Sequence, residues 1–377
     1  MILIQGCDAY APDALGTCDV LIAATRVERI AEHLGPPGGI PCDVIRAEGL
    51  RLIPGLIDGH IHIAGAGGEG GPATRTREVH VRQLLDAGVT TVLGCLGTDG
   101  LTRSLESVLM KVKALRAEGM SAWMLTGSYQ VPPPSILEHV GRDVAMIDEV
   151  IGVGEIAIAD HRSSGATVEE LIRLATQARV GGLLGGKAGI VSLHVGGGRN
   201  PFQIVYDAVE RSELPITQFW PTHCGRSGRT REAAIAFGRR AAVDITAGTG
   251  VVEAVLGLRE AGVPLEHITI SSDGCGSLPR FDATGNLVSL TQAEPRGVFT
   301  ALIDLVRRGG LPWEEALRMV TLNAASVLKL SGKGRIAEGV DADLVLLDEQ
   351  DRIRHVIARG EILVRDGERT RRDAFGE

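Results

Sequence analysis

Eight short runs of apolar, largely β-branched residues recur between Leu56 and Ser272, and their spacing limits the folds open to this chain. The runs are 56–63, 90–95, 122–126, 151–158, 189–194, 216–223, 242–246 and 267–272. Amphipathic stretches with helical periodicity lie between most of them, at 76–87, 104–117, 168–178, 202–211 and 229–240. Strands that alternate with helices imply a parallel sheet. Eight repeats over roughly 220 residues predict an α/β fold, a closed (β/α)8 TIM barrel. On pattern alone an open doubly wound sheet is the alternative.

The two ends differ from this middle and resemble each other. Short β-prone pieces occur at 1–4, 19–23 and 43–45, punctuated by Pro36-Pro37-Gly38-Gly39, and again at 343–347, 355–358 and 362–364. Neither end is long enough to bury a core alone. Pairing them predicts a small β-sandwich domain from 1–53 plus 331–377, with the barrel spanning 54–330.

Composition narrows the function. The chain has 377 residues, 44% hydrophobic and 23% charged, which excludes disorder as a whole-chain state. A net charge of −8 argues against nucleic acid and anionic membrane surfaces as partners. Aromatic residues at 3% leave little surface for stacking single-stranded bases. Fifty glycines, close to twice the ~7% typical, imply many tight turns and close backbone approaches. No basic-then-apolar leader opens the sequence, and no apolar run reaches the ~18 residues that span a bilayer, so a cytoplasmic location is expected. The six cysteines are scattered without a CxxC pair and read as free, mostly buried thiols.

In barrels of this type the chemistry gathers at the C-terminal ends of the strands. The first run ends in Asp58-Gly59-His60-Ile61-His62, the fourth contains Glu155, the fifth ends at His194, the sixth at His223, and the eighth is followed by Asp273. Four of the ten histidines thus end strands. His60 and His62, two apart on a strand, project from one face. Joined by imidazoles and carboxylates from other strands, they suit zinc or a similar divalent ion.

The segment Pro54-Gly55-Leu56-Ile57-Asp58-Gly59-His60-Ile61-His62 resembles the opening motif of the amidohydrolase superfamily of metal-dependent hydrolases. The segment from Gly334 to Leu344 resembles the return of such chains to their small β-domain. Within that superfamily the chain is most similar to the isoaspartyl (β-aspartyl) dipeptidase family. The resemblance rests on Gly67-Gly68-Glu69-Gly70-Gly71-Pro72, Trp123 to Tyr129, Asp160-His161-Arg162, Gly181 to Lys187, Pro221-Thr222-His223 and Ser271-Ser272-Asp273-Gly274. These blocks run in order through nearly the whole chain.

The resemblance implies two divalent ions per chain, usually Zn2+. One would be held by His60, His62 and Asp273, the other by His194 and His223. The family bridges its ions with a carboxylated lysine; the matching position, seven residues before Arg162, is Glu155. Glu155 is therefore expected to bridge the ions directly. Lys187 is the alternative source of a carboxylated ligand. The alternative role for Glu155 is an acid at the surface or behind the ligands, out of contact with metal.

A water activated between the ions would attack the isopeptide bond. Asp273 would act as general base and acid, or else as a ligand alone. Tyr129 would donate to the developing oxyanion. Glu69 would receive the substrate amine, Arg162, Arg226 and Ser277 its carboxylates, and Thr98 would help hold the aspartyl end. Cys224 and Cys275 adjoin ligands, but strand neighbours face opposite ways, so both read as packing.

The expected substrate is a small dipeptide, and the family implies a homo-oligomer. Competing readings are hydrolysis of a cyclic amide of the dihydroorotate or hydantoin kind, hydrolysis of an N-acyl amino acid, and a non-catalytic assembly protein on the same barrel.

Overall fold

Strands from the two ends of the chain meet in one sheet, in a computed structural model that describes residues 1–371 apart from 227 and 283. The first five strands are β1 (Ile2–Tyr10), β2 (Ala14–Ala23), β3 (Arg26–Ala31), β4 (Asp43–Arg46) and β5 (Arg51–Pro54). The chain then enters the alternating region.

There the eight runs become β6 (Leu56–Ile61), β7 (Val89–Gly94), β8 (Ser121–Thr126), β9 (Val150–Ile158), β10 (Ile190–Val195), β11 (Phe219–Thr222), β12 (Val243–Thr246) and β13 (Ile268–Ser271). β6 through β11 are hydrogen-bonded in sequence order, all parallel. β12 and β13 pair in parallel and fill the gap between β11 and β6. The Cys224 amide donates to the Asp244 carbonyl at 3.0 Å, and the His62 amide donates to the Gly274 carbonyl at 2.9 Å. The strands thus return on themselves as a TIM-barrel-like domain, and the doubly wound alternative, which needs two open edges, is set aside. Every residue of β6, β7, β9 and β10 is buried, as expected of parallel strands covered on both faces.

Two local expectations change. Ile216–Gln218 is a 3-10 turn after Pro215, and the strand begins only at Phe219. Within 76–87 only Val81–Leu85 is helical. Its start is fixed by a capping box: the His80 side chain accepts from the Arg82 amide at 3.2 Å, and the Gln83 side chain accepts from the His80 amide at 2.8 Å.

After β13 comes an unanticipated hairpin, β14 (Ser277–Phe281) and β15 (Leu287–Gln292), beside the C-terminal strand ends. The chain closes with β16 (Leu344–Leu347), β17 (Ile353–Ala358), β18 (Glu361–Arg365) and β19 (Glu368–Arg369). The terminal sheet runs β19-β18-β17-β16-β5-β1-β2-β3, with β4 on β1. β16 pairs antiparallel with β5, Leu344 opposite Pro54.

Ile4, Val20, Leu52, Leu344, Leu346 and Ile357 belong to a hydrophobic core of their own, apart from the larger core of the barrel. Buried Lys333 ties the two regions together, reaching Ser121 at 2.7 Å, Asp341 at 2.9 Å and the Asp343 carboxylate. Among the described residues no helix is long and apolar enough to cross a membrane.

Candidate metal centre and substrate pocket

β6 delivers His60 and His62 to the strand ends. Gly59, between Asp58 and His60, is sterically required, because a Cβ there would lie 2.5 Å from the Trp220 ring. β9 carries an irregularity opposite β10: Val153 faces Val191, but Ile156 already faces Leu193. The extra residue is a bulge that re-aims the chain, and Glu155 sits in it. Gly154 before it has φ 150°, and a Cβ there would lie 2.7 Å from the Ser192 carbonyl oxygen. His223 and Asp273 follow their strands in left-handed conformations, φ 63° and 55°. Such backbone is uncommon for residues other than glycine and is concentrated at functional sites.

These elements converge on Glu155, which is 1% exposed. Its Oε2 lies 3.3 Å from His60 Nε2, 3.2 Å from His194 Nδ1 and 3.7 Å from His223 Nε2. Its Oε1 lies 3.6 Å from His62 Nε2. Asp273 Oδ1 approaches His62 Nε2 at 3.0 Å and His60 Nε2 at 3.8 Å, while Oδ2 is 4.0 Å from His223 Nδ1. All six residues anticipated as ligands are therefore buried together.

Burial disfavours charge at each of them, and the neighbours decide the outcome. Burial would raise the Glu155 carboxyl, yet the His60 charge and imidazole hydrogen bonds hold it well below its ordinary range. Asp273 is lowered in the same way, against its burial, by its His62 hydrogen bond and the surrounding imidazoles. Burial would lower His60 and His62, but Cys95 and the carboxylates beside them raise both well above the usual imidazole range. His223 is pushed down to about 3, by burial first and then by His194 and Arg226.

The donors fall into two groups whose candidate ligand atoms lie within 4.8 Å of one another: His60, His62, Cys95 and Glu155, and Glu155, His194 and His223. Glu155 belongs to both. Four buried imidazoles, a thiol and two carboxylates form a set that suits a divalent transition metal, and apolar packing gives no reason to gather them.

Lys187 is far from this arrangement. It follows the helix Val168–Gly185 at the N-terminal end of β10 and donates to the Ile147 carbonyl, so it supplies no ligand. Cys95 joins the donors unanticipated, although it ends the second run by the same rule that marks the histidines. Cys224 and Cys275 do pack in the apolar core, but not for the reason expected: both lie in turns past the strands rather than on them. Among the described residues all six cysteines are free thiols.

A cavity of about 310 Å³ opens above the donors, a size suited to a small molecule. Thr98, Tyr129, Arg162, Arg226 and Ser277 line it, and the hairpin adds Leu278, Pro279 and Phe281. Glu69 lies in the same polar network. It accepts from Ser277 Oγ at 2.8 and 2.9 Å and from Thr98 Oγ1 at 3.1 Å, and Arg162 Nη1 is 3.4 Å away. Arg226 donates to the Val195 carbonyl at 3.1 Å.

Asp160, which falls in a block of the resemblance but was given no role there, clasps Arg162 in a two-pronged pair, Nε–Oδ1 2.9 Å and Nη2–Oδ2 2.9 Å. Burial opposes both charges, but His194, 3.2 Å from Asp160 Oδ2, and then Arg162 lower Asp160, and Asp160 raises Arg162. The guanidinium lies over the Tyr129 ring at 5.2 Å and the Phe281 ring at 5.8 Å. The Tyr129 hydroxyl is 2.7 Å from His194 Nδ1; burial and the nearby Glu155 raise its pKa well above the ordinary phenol range.

Comparison with known proteins points to one family. Residues 232–363 match the model of the amidohydrolase family. The structure of a β-aspartyl dipeptidase from the thermophilic, keratin-degrading Fervidobacterium islandicum AW-1, solved with β-Asp-Leu, is 43% identical, with a TM-score of 0.94 over 99% of each chain. A second structure of that organism's β-aspartyl dipeptidase gives 40% identity and a TM-score of 0.91, again over 99% of each chain. Among curated sequences, adenine deaminase 2 of Rhizobium johnstonii is 28% identical over 334 residues, 86% of this chain and 50% of that protein. The chain spans about half the length of such deaminases. A D-hydantoinase from Thermus sp., 18% identical with a TM-score of 0.65 over 100% of this chain and 98% of its own, shares the fold.

Proposed function

Since this chain belongs to the β-aspartyl dipeptidase family of amidohydrolases, we propose that it hydrolyses the isopeptide bond of β-aspartyl dipeptides at a pair of divalent ions, with zinc the expected metal. The observation that carries this reading is the position of Glu155: one buried carboxylate reaches four imidazoles from three other strand ends, beside a pocket with its own acid and cationic fork.

On this reading His60, His62 and Asp273 serve one ion and His194 and His223 the other, with Glu155 shared. A glutamate supplies the bridging carboxylate without a carboxylated lysine. Bound there, the ions would acidify a water and polarise the scissile carbonyl. Asp273 faces the same space and is placed to take a proton from the attacking water at a carboxylate oxygen and pass it to the leaving amine. Tyr129 offers its hydroxyl to the oxygen on which negative charge develops.

Glu69 gives the substrate α-amine an acid partner within a polar cluster of Thr98 and Ser277. Arg162 and Arg226 offer guanidinium donors to the two carboxylates. Phe281 and Leu278 give the rest of the pocket an apolar wall. The separate core of the terminal strands supports a division into a catalytic barrel, 54–330, and a small β-sandwich, 1–53 with 331–377.

The test is turnover of β-Asp-Leu by the zinc-loaded protein, run beside dihydroorotate, a hydantoin, an N-acyl amino acid and adenine. Release of leucine with the others inert is expected. Turnover of any other member of the panel with β-Asp-Leu untouched overturns the proposal.

A further inference from the structure

We propose that Cys95 ligates the ion on the His60–His62 side as a thiolate, adding a sulfur donor to His60, His62, Asp273 and Glu155 in that half of the centre. The inference rests on the binuclear reading and adds to it a ligand that the family resemblance did not supply.

Cys95 stands at the end of the second barrel strand, in the layer where the other strands present their imidazoles and carboxylates. It is 1% exposed. Its Sγ lies 3.9 Å from His60 Nε2 and 3.8 Å from His62 Nδ1. Tetrahedral zinc with Zn–N near 2.0–2.1 Å and Zn–S near 2.3 Å places nitrogen and sulfur ligands about 3.6 Å apart, and nitrogen and oxygen ligands about 3.4 Å apart. The corresponding separations from His60 Nε2 are 3.9 Å to the sulfur and 3.3 Å to Glu155 Oε2. Donor atoms of Cys95, His60, His62 and Glu155 all lie within 4.8 Å of one another.

The chain beyond Cys95 is pressed onto the same donors. A Cβ on Gly97 would lie 2.8 Å from His62 Cε1 and 3.5 Å from Glu155 Oε1, so the segment cannot draw back without opening space beside them. Cys95 belongs to a buried cluster with Leu93, Leu125 and Trp220, while its sulfur approaches the imidazoles. Cys224, by contrast, offers its sulfur to backbone carbonyls in the apolar core.

Coordination requires the thiol to lose its proton to solvent as the metal–sulfur bond forms. A thiolate also makes the site softer and favours zinc or cobalt over manganese or magnesium.

X-ray absorption of the zinc-loaded protein tests this without reference to turnover. The expected result is a sulfur shell at about 2.3 Å, one sulfur per pair of zincs, distinct from the nitrogen and oxygen shell at about 2.0–2.1 Å. The sulfur shell should vanish in Cys95→Ala and persist in Cys224→Ala. Two zincs bound with no sulfur shell overturns the Cys95 assignment alone, and the wild-type protein is enough to show this if the alanine variant misfolds. A sulfur shell that survives Cys95→Ala also overturns it. Failure to bind zinc at all overturns the binuclear reading and this inference together.

Discussion

Tyr129 places its hydroxyl 2.7 Å from Nδ1 of His194, with the two rings tilted at 41° and 4.5 Å apart. One imidazole thus touches both Glu155 and the phenol, so the proposed oxyanion donor is packed directly on the candidate metal ligands. Tyr129→Phe should retain both ions and lower kcat by roughly 10²–10³, the cost of one lost oxyanion donor. Metal analysis alongside steady-state kinetics checks this; an unchanged kcat removes Tyr129 from the chemistry.

Glu155→Ala should bind fewer than two ions per chain after dialysis, because both donor groups lose their shared member. Plasma emission spectrometry gives the count. Two ions retained per chain means that something other than Glu155 links them.

Asp273→Asn should keep part of its metal, since the other donors remain, and lose turnover by roughly 10²–10⁴, the range typical of general acid–base groups. A variant with full activity would leave Asp273 with ligation as its only role.

Asp160→Asn tests positioning. Its carboxylate holds the Arg162 fork through two hydrogen bonds of 2.9 Å. Charged hydrogen bonds contribute about 1.5–3 kcal/mol, so KM for β-Asp-Leu should rise about tenfold or more while kcat changes less. Equal losses in kcat and kcat/KM, with KM steady, would place Asp160 in the chemical step instead.

Stability away from the site should follow Glu149. It is 8% exposed and accepts from Lys113 at 2.8 Å, with Arg116 at 3.4 Å. Burial raises its carboxyl, but Lys113 and Arg116 win and hold it below the ordinary glutamate range. A depressed carboxylate stabilises the fold above its unfolded value, and that contribution fades as pH falls through the folded value. Lys113 is half exposed, so the pair contributes about 1 kcal/mol at most. Glu149→Gln should lower Tm by about 2 °C or less near neutral pH, and the gap from wild type should close in acid. A gap that widens in acid contradicts this role for Glu149.

The strand ends are legible in the sequence because a polar residue ending an apolar run has few structural reasons to be there. His60, His62, Glu155, His194, His223 and Asp273 all stand out on that ground, and the structure gathers them. Cys95 does not, because a thiol ending an apolar run reads as one more apolar residue. Asp160 is obscured for another reason: beside Arg162 in sequence it looks like an ordinary surface pair, and only the turn after β9 folds the two back onto each other. The bulge at Gly154 and the left-handed turns at His223 and Asp273 depend on contacts across strands far apart in the chain. The hairpin carrying Phe281 has exposed residues on both strands, so no hydrophobic period announces it.

The insertion of β16 between β5 and β17 sets an order of events during synthesis. As the polypeptide leaves the ribosome, β5 is made before the barrel strands, and its partner β16 only after them. The barrel can therefore assemble while β5 still lacks β16 along one edge. Until Leu344 emerges, that unpaired edge is open to adventitious strand addition.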